Sequence, residues 1–300
     1  MMKILFRNYG SPGDFDLVSQ FLIQHYQPDN HDGNWLQPTW EYMHSHPSLD
    51  ENSLNRIGIW ERDREIVAVV HYESKLGEAF FEIHPDLGEI KPDLLDYAER
   101  QLYGTLESGT RYVQAFINDF DHEFLDIVQS RGYTRHPERS RPLMKFSTPG
   151  SFPKIELPEG FRLKSLQDEN NLIKIHRVLW RGFNHPGEPQ EEGIAGRIKM
   201  QSGPNYRHDL NIVVEAPDGF FVAYSGLWYE PFNRYAYVEP VATDPNYRRL
   251  GLGSAAVLEG IRRCWKEGAK VAYVGSDQAF YQSMGFQPVY TSQCWQKIFD

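Results

Sequence analysis

The sequence has few cysteines, no long apolar run and no evident targeting segment. Only 2 of its 300 residues are cysteines, Cys264 and Cys294, which provide neither a disulfide framework nor the spacing of a metal site. No apolar run approaches the roughly 20 residues that cross a bilayer. The first ten residues have too short an apolar core for a signal peptide. We therefore expect a cytoplasmic protein with no bound metal and no membrane partner.

Excess positive charge is also missing. Lysine and arginine number 31 against 41 aspartates and glutamates, so the net charge is −10. Nonspecific binding to nucleic acid needs a basic face, and this composition argues against it. An acidic surface mildly favours a cationic substrate, although it also serves solubility alone. The length is natural for two domains of about 150 residues each.

Two common phosphate-binding motifs are absent, but a third glycine-rich turn is present. The chain has neither the G-x-G-x-x-G of dinucleotide-binding proteins nor a P-loop. Residues 248–253 read Arg-Arg-Leu-Gly-Leu-Gly, between an apolar strand at 234–243 and a helical run at 254–263. Glycines let a ligand approach the backbone, and a helix N-terminus offers unpaired N–H groups to phosphate. The two arginines add charge that suits phosphate oxygens. This arrangement predicts a pyrophosphate site.

Two signatures resemble those of the GNAT superfamily of N-acetyltransferases. Arg248-x-x-Gly251-x-Gly253 resembles the acyl-CoA loop of that family, and residues 278–286, Gln-Ala-Phe-Tyr-Gln-Ser-Met-Gly-Phe, resemble its closing signature in slightly compressed form. One helix and one short apolar strand, 270–274, separate them, as in the family. The resemblance implies an α/β (α+β) fold with a mixed, mostly antiparallel sheet flanked by helices. The predicted strands are 160–165, 210–216, 220–229, 234–243, 270–274 and 286–298, and the predicted helices are 168–183, 190–201, 251–267 and 277–284.

A weak internal repeat indicates two copies of this fold. Hairpins are predicted at 57–73 and 211–230, with turns at 62–64 and 217–219. Gly132 and Gly285 lie 153 residues apart, and so do Phe146 and Phe299, where the strands that follow those glycines end. The segment 147–153 is rich in proline and glycine and is the predicted linker. We expect tandem GNAT-like domains at 1–150 and 155–300, with a boundary near 152.

The first copy lacks the features that hold a cofactor. Aligning Ile83 with Thr243 places residues 88–93, Gly-Glu-Ile-Lys-Pro-Asp, opposite the glycine turn of the second copy. Pro92 removes a backbone donor, and Glu89 and Asp93 repel phosphate. We therefore expect domain 1–150 to be degenerate and domain 155–300 to be the catalytic one that binds acetyl-CoA.

The glycine turn is expected to hold CoA through its backbone amides. By resemblance to the family, the end of the preceding strand pairs with the pantetheine arm like an added strand. The predicted cofactor-binding residues are Val241, Ala242, Thr243, Arg248, Arg249, Leu250, Gly251, Leu252, Gly253 and Ser254. No metal ligands are predicted.

The resemblance implies that Tyr281 donates a proton to the leaving thiolate. A phenol with a pKa of about 10 stays protonated near neutrality. Glu239 is the candidate general base, because a glutamate in an otherwise apolar strand is locally unfavourable and such residues are often functional. An outward-facing or ion-paired glutamate is the alternative, and Glu230 and Asp244 are weaker candidates. The backbone amide of Val241 or Ala242 is the expected oxyanion donor.

These features predict an acetyl-CoA-dependent N-acetyltransferase whose acceptor is a primary amine of a small molecule. No motif fixes the acceptor: mycothiol synthase shares the tandem plan, and an aminoglycoside or a polyamine suits the acidic charge equally. The alternative is a noncatalytic acyl-CoA-binding or interaction module that keeps the loop and lacks a working base. The oligomeric state stays open.

Overall fold

The computed structural model describes residues 3–11, 13–147 and 152–299, and it divides into two compact units. The first unit comprises Met1–Met43, Ser48–Leu143 and Val289–Asp300, and the second comprises His44–Pro47 and Met144–Pro288. Residues 148–151 of the predicted linker lie outside the described residues. The segments 44–47 and 289–300 fall in the opposite unit from the one that the ranges 1–150 and 155–300 imply. The assignment of these two ranges to a degenerate and a catalytic domain stays a prediction.

In the described part of the first half of the sequence, four α-helices and seven strands belong to the first unit. A tight turn with positive φ at Asp63 (57°) and Arg64 (70°) joins the predicted hairpin at the predicted place. The elements are β1 (Leu5–Asn8), α1 (Asp14–His25), α2 (Gln37–Ser45), β2 (Gly58–Arg62), β3 (Glu65–His71), β4 (Glu78–Ile83), α3 (Lys91–Gln101), β5 (Gly104–Thr105), β6 (Arg111–Asn118), α4 (His122–Ser130) and β7 (Thr134–Arg135).

The remaining elements follow the predicted order of the second copy closely. They are β8 (Arg141–Ser147), β9 (Arg162–Ser165), α5 (Leu172–Gly182), α6 (Ile194–Met200), β10 (Ile212–Glu215), β11 (Phe221–Glu230), β12 (Tyr235–Thr243), α7 (Leu252–Lys266), β13 (Val271–Val274), α8 (Ala279–Ser283) and β14 (Gln287–Phe299). Helix α5 begins four residues later than predicted. Asp168 instead accepts hydrogen bonds from the Ser165 backbone and hydroxyl, and Asn171 caps the helix through the amide of Lys174.

The closing strands are exchanged between the two halves of the sequence. Strand β8 pairs antiparallel with β13 through Met144–Ser147 and so belongs to the second unit, whereas β14 pairs antiparallel with β6 in the first unit. The prediction that strand 286–298 completes the second domain is wrong. The two closing strands stand at equivalent places in the repeat, so each has the pattern to fit either sheet.

In the second unit the strands lie in the order β8-β13-β12-β11-β10-β9 between two helices. Helix α5 buries Ile175, Val178 and Leu179 against Val213 of β10 and its neighbours on one face. On the opposite face α7 packs against Ile212 and other alternate residues of the strands. Both helices are amphipathic, and by covering the two faces of the sheet they bury most of the sheet's apolar surface.

Among the described residues, no helix is both long and apolar enough to cross a membrane.

Candidate active site

The central feature of the second unit is a cleft where two parallel strands separate. Strand β12 pairs with β13 only from Tyr235 to Tyr237, and β12 then runs on to Thr243 with a partner on its β11 side alone. The resulting cleft has a volume of 640 Å³, which lies in the usual range for small-molecule sites. Nine of the ten predicted cofactor-binding residues line it, together with Tyr281, whereas Leu250 and Glu239 are not among its lining residues.

Alternation along β12 decides which backbone groups face the cleft. Ala242 lies opposite Tyr224 of β11, and the amide of Asp244 donates to the Val222 carbonyl, so residues 242 and 244 direct their polar groups towards β11. The intervening Val241 and Thr243 direct theirs to the other side, where the strands separate. The sequence alone does not distinguish the amides of Val241 and Ala242 as candidate oxyanion donors. This register makes Val241 the one that faces the cleft.

A bulge interrupts β11 and β12 next to Glu239. Gly226 alone stands opposite Glu239 and Pro240, since Ser225 pairs with Val241 and Leu227 with Val238. A Cβ at Gly226 would lie 2.6 Å from the Glu239 carbonyl oxygen, so only glycine fits there. The Trp228 indole donates to the same oxygen at 3.1 Å. The bulge thus resets the alternation of side chains at the candidate base, which is half-buried.

The glycine turn forms the N-terminus of α7, a helix of 15 residues. Gly251 is its N-cap in the left-handed conformation (φ 77°), and the first intrahelical bond runs from the Ala255 amide to the Gly251 carbonyl. The amides of residues 252–254 therefore precede the helical hydrogen-bond ladder, as an anion site requires. The Ser254 hydroxyl donates to the Gly251 carbonyl at 2.8 Å and helps to fix the turn.

Gly253 is constrained by the protein itself as well as by the cleft. A Cβ at this position would lie 2.7 Å from the Thr243 hydroxyl oxygen and 3.3 Å from the Phe280 ring. The first turn of α7 therefore packs directly on the end of β12 and on α8. Tight packing at a helix N-terminus, the alternative that the sequence also leaves open for these glycines, therefore applies at Gly253.

The two arginines of the turn have different surroundings. Arg248 donates to the Gly182 carbonyl, to the Asn184 side chain and to the Thr243 carbonyl, at 2.9, 2.8 and 3.2 Å. Arg249 has a φ of 64° and an exposed side chain, with no hydrogen bond or ion pair to any residue that the structure describes. Nothing in the sequence alone distinguishes them.

Tyr281 lies on α8 at the cleft and is 7% exposed. Burial raises the pKa of its hydroxyl above the usual value, and the charge of Glu239 raises that pKa further. The phenol is therefore protonated throughout the neutral range. The same electrostatic influence places Tyr281 and Glu239 within range of each other, although they are 42 residues apart in the sequence.

The weaker carboxylate candidates have structural roles. Asp244 is 1% exposed and forms a two-pronged ion pair with Arg181, at 2.5 and 3.2 Å. Burial alone would raise the pKa of Asp244, but hydrogen bonds from Arg181 and the Asn246 amide bring it below its usual value. Glu230 accepts the amides of residues 232 and 233 at 2.8 and 2.7 Å and holds the turn after β11.

Six cleft residues were missed as cofactor-binding residues, because their contribution depends on tertiary contacts. Gln278 and Phe280 lie within the closing signature 278–286, which was connected with the thiolate donor Tyr281 and not with cofactor binding, and the other four carry no motif. The six are Gly182, Phe183, Asn184, Tyr247, Gln278 and Phe280.

The first unit contains the corresponding pair of separating strands, but a loop fills the space. Strand β4 pairs with β6 only at Glu78 and Ala79. Beyond them, Asn34 accepts from the Ile83 amide at 2.7 Å and donates to the Ile83 carbonyl at 3.2 Å. The Asn118 side chain at the end of β6 donates to the Gly33 carbonyl at 2.7 Å. Loop residues 33–34 thus bond to the ends of both strands, and 120 Å³ of space remains.

A lysine stands near the mouth of this first cleft. Lys91, the first residue of α3, contacts Asp121 at 2.8 Å and Glu123 at 2.9 Å. Neither a glycine turn nor an uncommitted cation occupies the start of this helix. The prediction that the first copy binds no CoA is thereby given a physical basis, and it stays a prediction.

Comparison with known proteins agrees with these geometries. The sequence model of the acetyltransferase (GNAT) family matches residues 172–286, and no curated protein matches significantly. A GCN5-related N-acetyltransferase from Sphaerobacter thermophilus is similar in structure, with 15% identity and a TM-score of 0.65 over 98% of this chain and 95% of that one. A tandem GNAT protein from the clavulanic acid biosynthesis pathway has 12% identity and a TM-score of 0.68 over 99% and 98%.

A third similar structure is N-myristoyltransferase of Saccharomyces cerevisiae, determined with bound myristoyl-CoA. It has 11% identity and a TM-score of 0.56 over 100% of this chain and 80% of that one. Residues 172–286 therefore match the acetyltransferase (GNAT) family model, and the chain as a whole has the fold of tandem GNAT proteins, a fold that supports acyl transfer.

Proposed function

We propose that the second unit binds acetyl-CoA and transfers its acetyl group to a primary amine of a small molecule. One observation carries this proposal. The unpaired edge of β12, the glycine turn and the Tyr281 hydroxyl converge on a single cleft of 640 Å³. These groups suit the three parts of acetyl-CoA: a pantetheine amide chain, a pyrophosphate and a thioester.

The residues present fit such a cosubstrate. The amides at 252–254 and the Arg249 side chain offer donors and positive charge to a pyrophosphate. The Val241 carbonyl and the Thr243 amide offer a strand edge to the pantetheine amides. Bound there, acetyl-CoA supplies an activated acyl carbon. Phe183 and Leu250 are 49% and 45% exposed near the turn, which leaves apolar surface at the mouth of the cleft.

The chemistry then requires three proton transfers. Glu239 takes a proton from the acceptor ammonium, directly or through water, so that the nitrogen lone pair attacks the acyl carbon. The C–N bond forms as the C–S bond breaks, and the Val241 amide donates to the carbonyl oxygen as it gains charge. Tyr281 donates its proton to the leaving thiolate, and its phenolate regains one through water from the nitrogen, which loses its second proton as the amide forms. The raised pKa of Tyr281 keeps that proton in place until negative charge develops nearby.

The acceptor class and the compartment rest on weaker grounds. An acidic protein of net charge −10 mildly favours a cationic amine. The cytoplasm is proposed because both cysteines are free thiols.

Release of the CoA thiol, measured with a thiol reagent across a panel of amines, tests the proposal. Acceptor-dependent release is expected in the wild type. Tyr281→Phe should lower turnover by about 10²-fold with little change in acetyl-CoA affinity. Binding without release from any amine would favour the noncatalytic acyl-CoA module, and absence of binding would refute the cofactor assignment.

The pH dependence separates the two roles open to Glu239. If it is the base, Glu239→Gln should lower the rate most at moderate pH, where the amine is protonated, and the loss should shrink as pH rises. If it only binds a cationic acceptor, KM should rise with kcat nearly intact. Rate profiles of the same shape for both proteins would remove the general-base role.

A further inference from the structure

Arg248 connects three segments that form the walls of the cleft. Its guanidinium donates hydrogen bonds to the carbonyl of Gly182, the last residue of α5, to the Asn184 side chain just beyond that helix, and to the Thr243 carbonyl at the end of β12. Two of these acceptors are backbone carbonyls at the ends of elements, which lack partners in the regular ladders. Most of the donor capacity of the side chain is therefore committed within the protein.

The end of α5 approaches β12 unusually closely. A Cβ at Gly182 would lie 2.6 Å from the Ala242 Cβ and 2.9 Å from the Thr243 nitrogen, so the helix end contacts the strand without an intervening side chain. The preceding residue, Arg181, forms its two-pronged ion pair with the buried Asp244. Arg181 thus connects α5 to the residue after β12, and Arg248, from the turn after β12, connects back to the end of α5.

Arg249 provides the contrast within the same turn. It lines the cleft, is exposed, and has no polar partner in the part of the chain that the structure describes. Its left-handed φ of 64° directs the chain between Arg248 and the N-cap Gly251. A non-glycine residue pays a conformational cost in that region.

We infer a division of labour between the adjacent arginines: Arg248 is a positioning residue that fixes the end of α5 against the cofactor turn, and Arg249 is the arginine that meets phosphate. The inference rests on the proposed function for the role of Arg249. The positioning role of Arg248 concerns the protein alone. The width of the cleft is then set by Arg248, and the affinity for phosphate charge by Arg249.

Amide hydrogen exchange of the ligand-free full chain tests the positioning role. Arg248→Ala should accelerate exchange at residues 182–186 by about tenfold, because an opening reaction loses hydrogen bonds made by a charged group. Asn184→Gly keeps the left-handed backbone (φ 60°) and removes one of those bonds, so it should accelerate exchange less. Asn184→Asp keeps an acceptor for Arg248 and should exchange like the wild type. Arg249→Ala should leave this segment unchanged.

Calorimetry with two donors tests the division itself. Arg248→Ala should weaken acetyl-CoA and S-acetylpantetheine by the same factor, because S-acetylpantetheine lacks phosphate and shares only the arm. Arg249→Ala should weaken acetyl-CoA alone, by about tenfold at low salt, and should flatten the salt dependence of its Kd. Arg248→Ala and Asn184→Gly should be non-additive, whereas Arg249→Ala should add to either.

Opposite results would overturn the inference. Unchanged exchange at 182–186 in Arg248→Ala would refute the positioning role. A flattened salt dependence with intact S-acetylpantetheine binding in Arg248→Ala would make Arg248 a phosphate ligand. If the wild type binds neither donor, the proposed function and the Arg249 role fail together, and the exchange data still decide the role of Arg248.

Discussion

The two clefts have the same strand geometry and different contents. In both units two parallel strands pair for two or three residues and then separate. Ile83 and Thr243 stand at equivalent positions. The backbone amide and carbonyl of Ile83 both hydrogen-bond to the Asn34 side chain, whereas the Thr243 carbonyl accepts a hydrogen bond from Arg248 beside an open cleft of 640 Å³. The fold therefore leaves a space at the strand ends in both units, and in the first unit loop residues 33–34 occupy it except for 120 Å³. Sheet geometry alone does not identify a binding site in this protein.

The largest expected effect concerns the exchanged strands. Phe146 belongs to the first half of the sequence, is 4% exposed and packs in the core of the second unit against Phe286. Phe146→Ala should lower stability by about 3–5 kcal/mol, because a buried aromatic ring is lost. Hydrogen exchange should accelerate in residues 212–286 rather than in 58–118. Ile298→Ala on β14, at a position 53% exposed, is the control. Faster hydrogen exchange confined to residues 58–118 would contradict the assignment of β8 to the second unit.

The next effect separates the two helix N-termini. Gly253→Val should weaken acetyl-CoA binding by about 100-fold, because its Cβ collides with Thr243 and its methyl groups fill the turn. Gly253→Ala should give an intermediate loss. Asp93→Val, at the equivalent exposed position of the first unit, should leave the affinity unchanged. Calorimetric titration measures all three, and wild-type affinity in Gly253→Val would remove the cradle assignment.

A smaller effect tests whether the first cleft is filled for stability. Asn34 is 2% exposed, and Asn34→Ala leaves the Ile83 amide and carbonyl without their partner. The free energy of unfolding should fall by about 1–3 kcal/mol. Asn170→Ala removes an exposed amide pair with Gln201 and should cost little.

The same variant bears on stoichiometry. We expect one acetyl-CoA per chain in both the wild type and Asn34→Ala, because the first unit also lacks the glycine turn. A stoichiometry of two in the wild type would contradict the asymmetry. The intact chain is the right material, since a 1–150 fragment lacks β14, which belongs to the first unit.

The smallest effect is a pH dependence in the loop that fills the first cleft. Burial raises the pKa of Asp32 to about 6, although the amides of Gln27 and Asn34 bond its carboxylate at 2.8 and 2.9 Å. An unfolded aspartate titrates near 3.9. Between about pH 4 and pH 6 the native state therefore keeps a proton that the unfolded state has released, so Asp32 favours folding less as pH rises.

Urea midpoints from pH 4 to pH 7 measure this contribution. The stability difference between wild type and Asp32→Asn should fall by about 1–2 kcal/mol from pH 4 to pH 6 and stay level above pH 6. A difference that is constant or that grows over this range would show that Asp32 is not the titrating group.

Local chemistry in the sequence was enough to predict most of the second unit. Apolar runs and hairpin turns predicted β10 to β12, and the glycine turn predicted the start of α7 within a residue. The start of α5 was placed too early because apolar periodicity does not reveal that Asp168 bonds back to Ser165. Capping residues near a helix start compete, and the tertiary structure selects among them.

Contacts between distant segments were not predictable. The partners of Arg248 at 182–184 lie more than 60 residues away, and Asn34 is an ordinary polar loop residue until Ile83 is placed beside it. The exchange of β8 and β14 could not be predicted from the sequence for a different reason. The two copies carry similar patterns at the same interval, so sequence alone does not tell which sheet a closing strand joins.

The late position of β14 in the sequence also determines the order in which the two units can be completed during translation. Residues 289–299 emerge from the ribosome after residues 144–288, so 288 − 143 = 145 further residues are made between Leu143 and the strand that completes the first unit. During that interval the edge of β6 has no β14 to pair with, and unpaired edges attract other chains. The N-terminal unit is therefore the last to finish, and a nascent chain that stalls late leaves it open to chaperones and proteases.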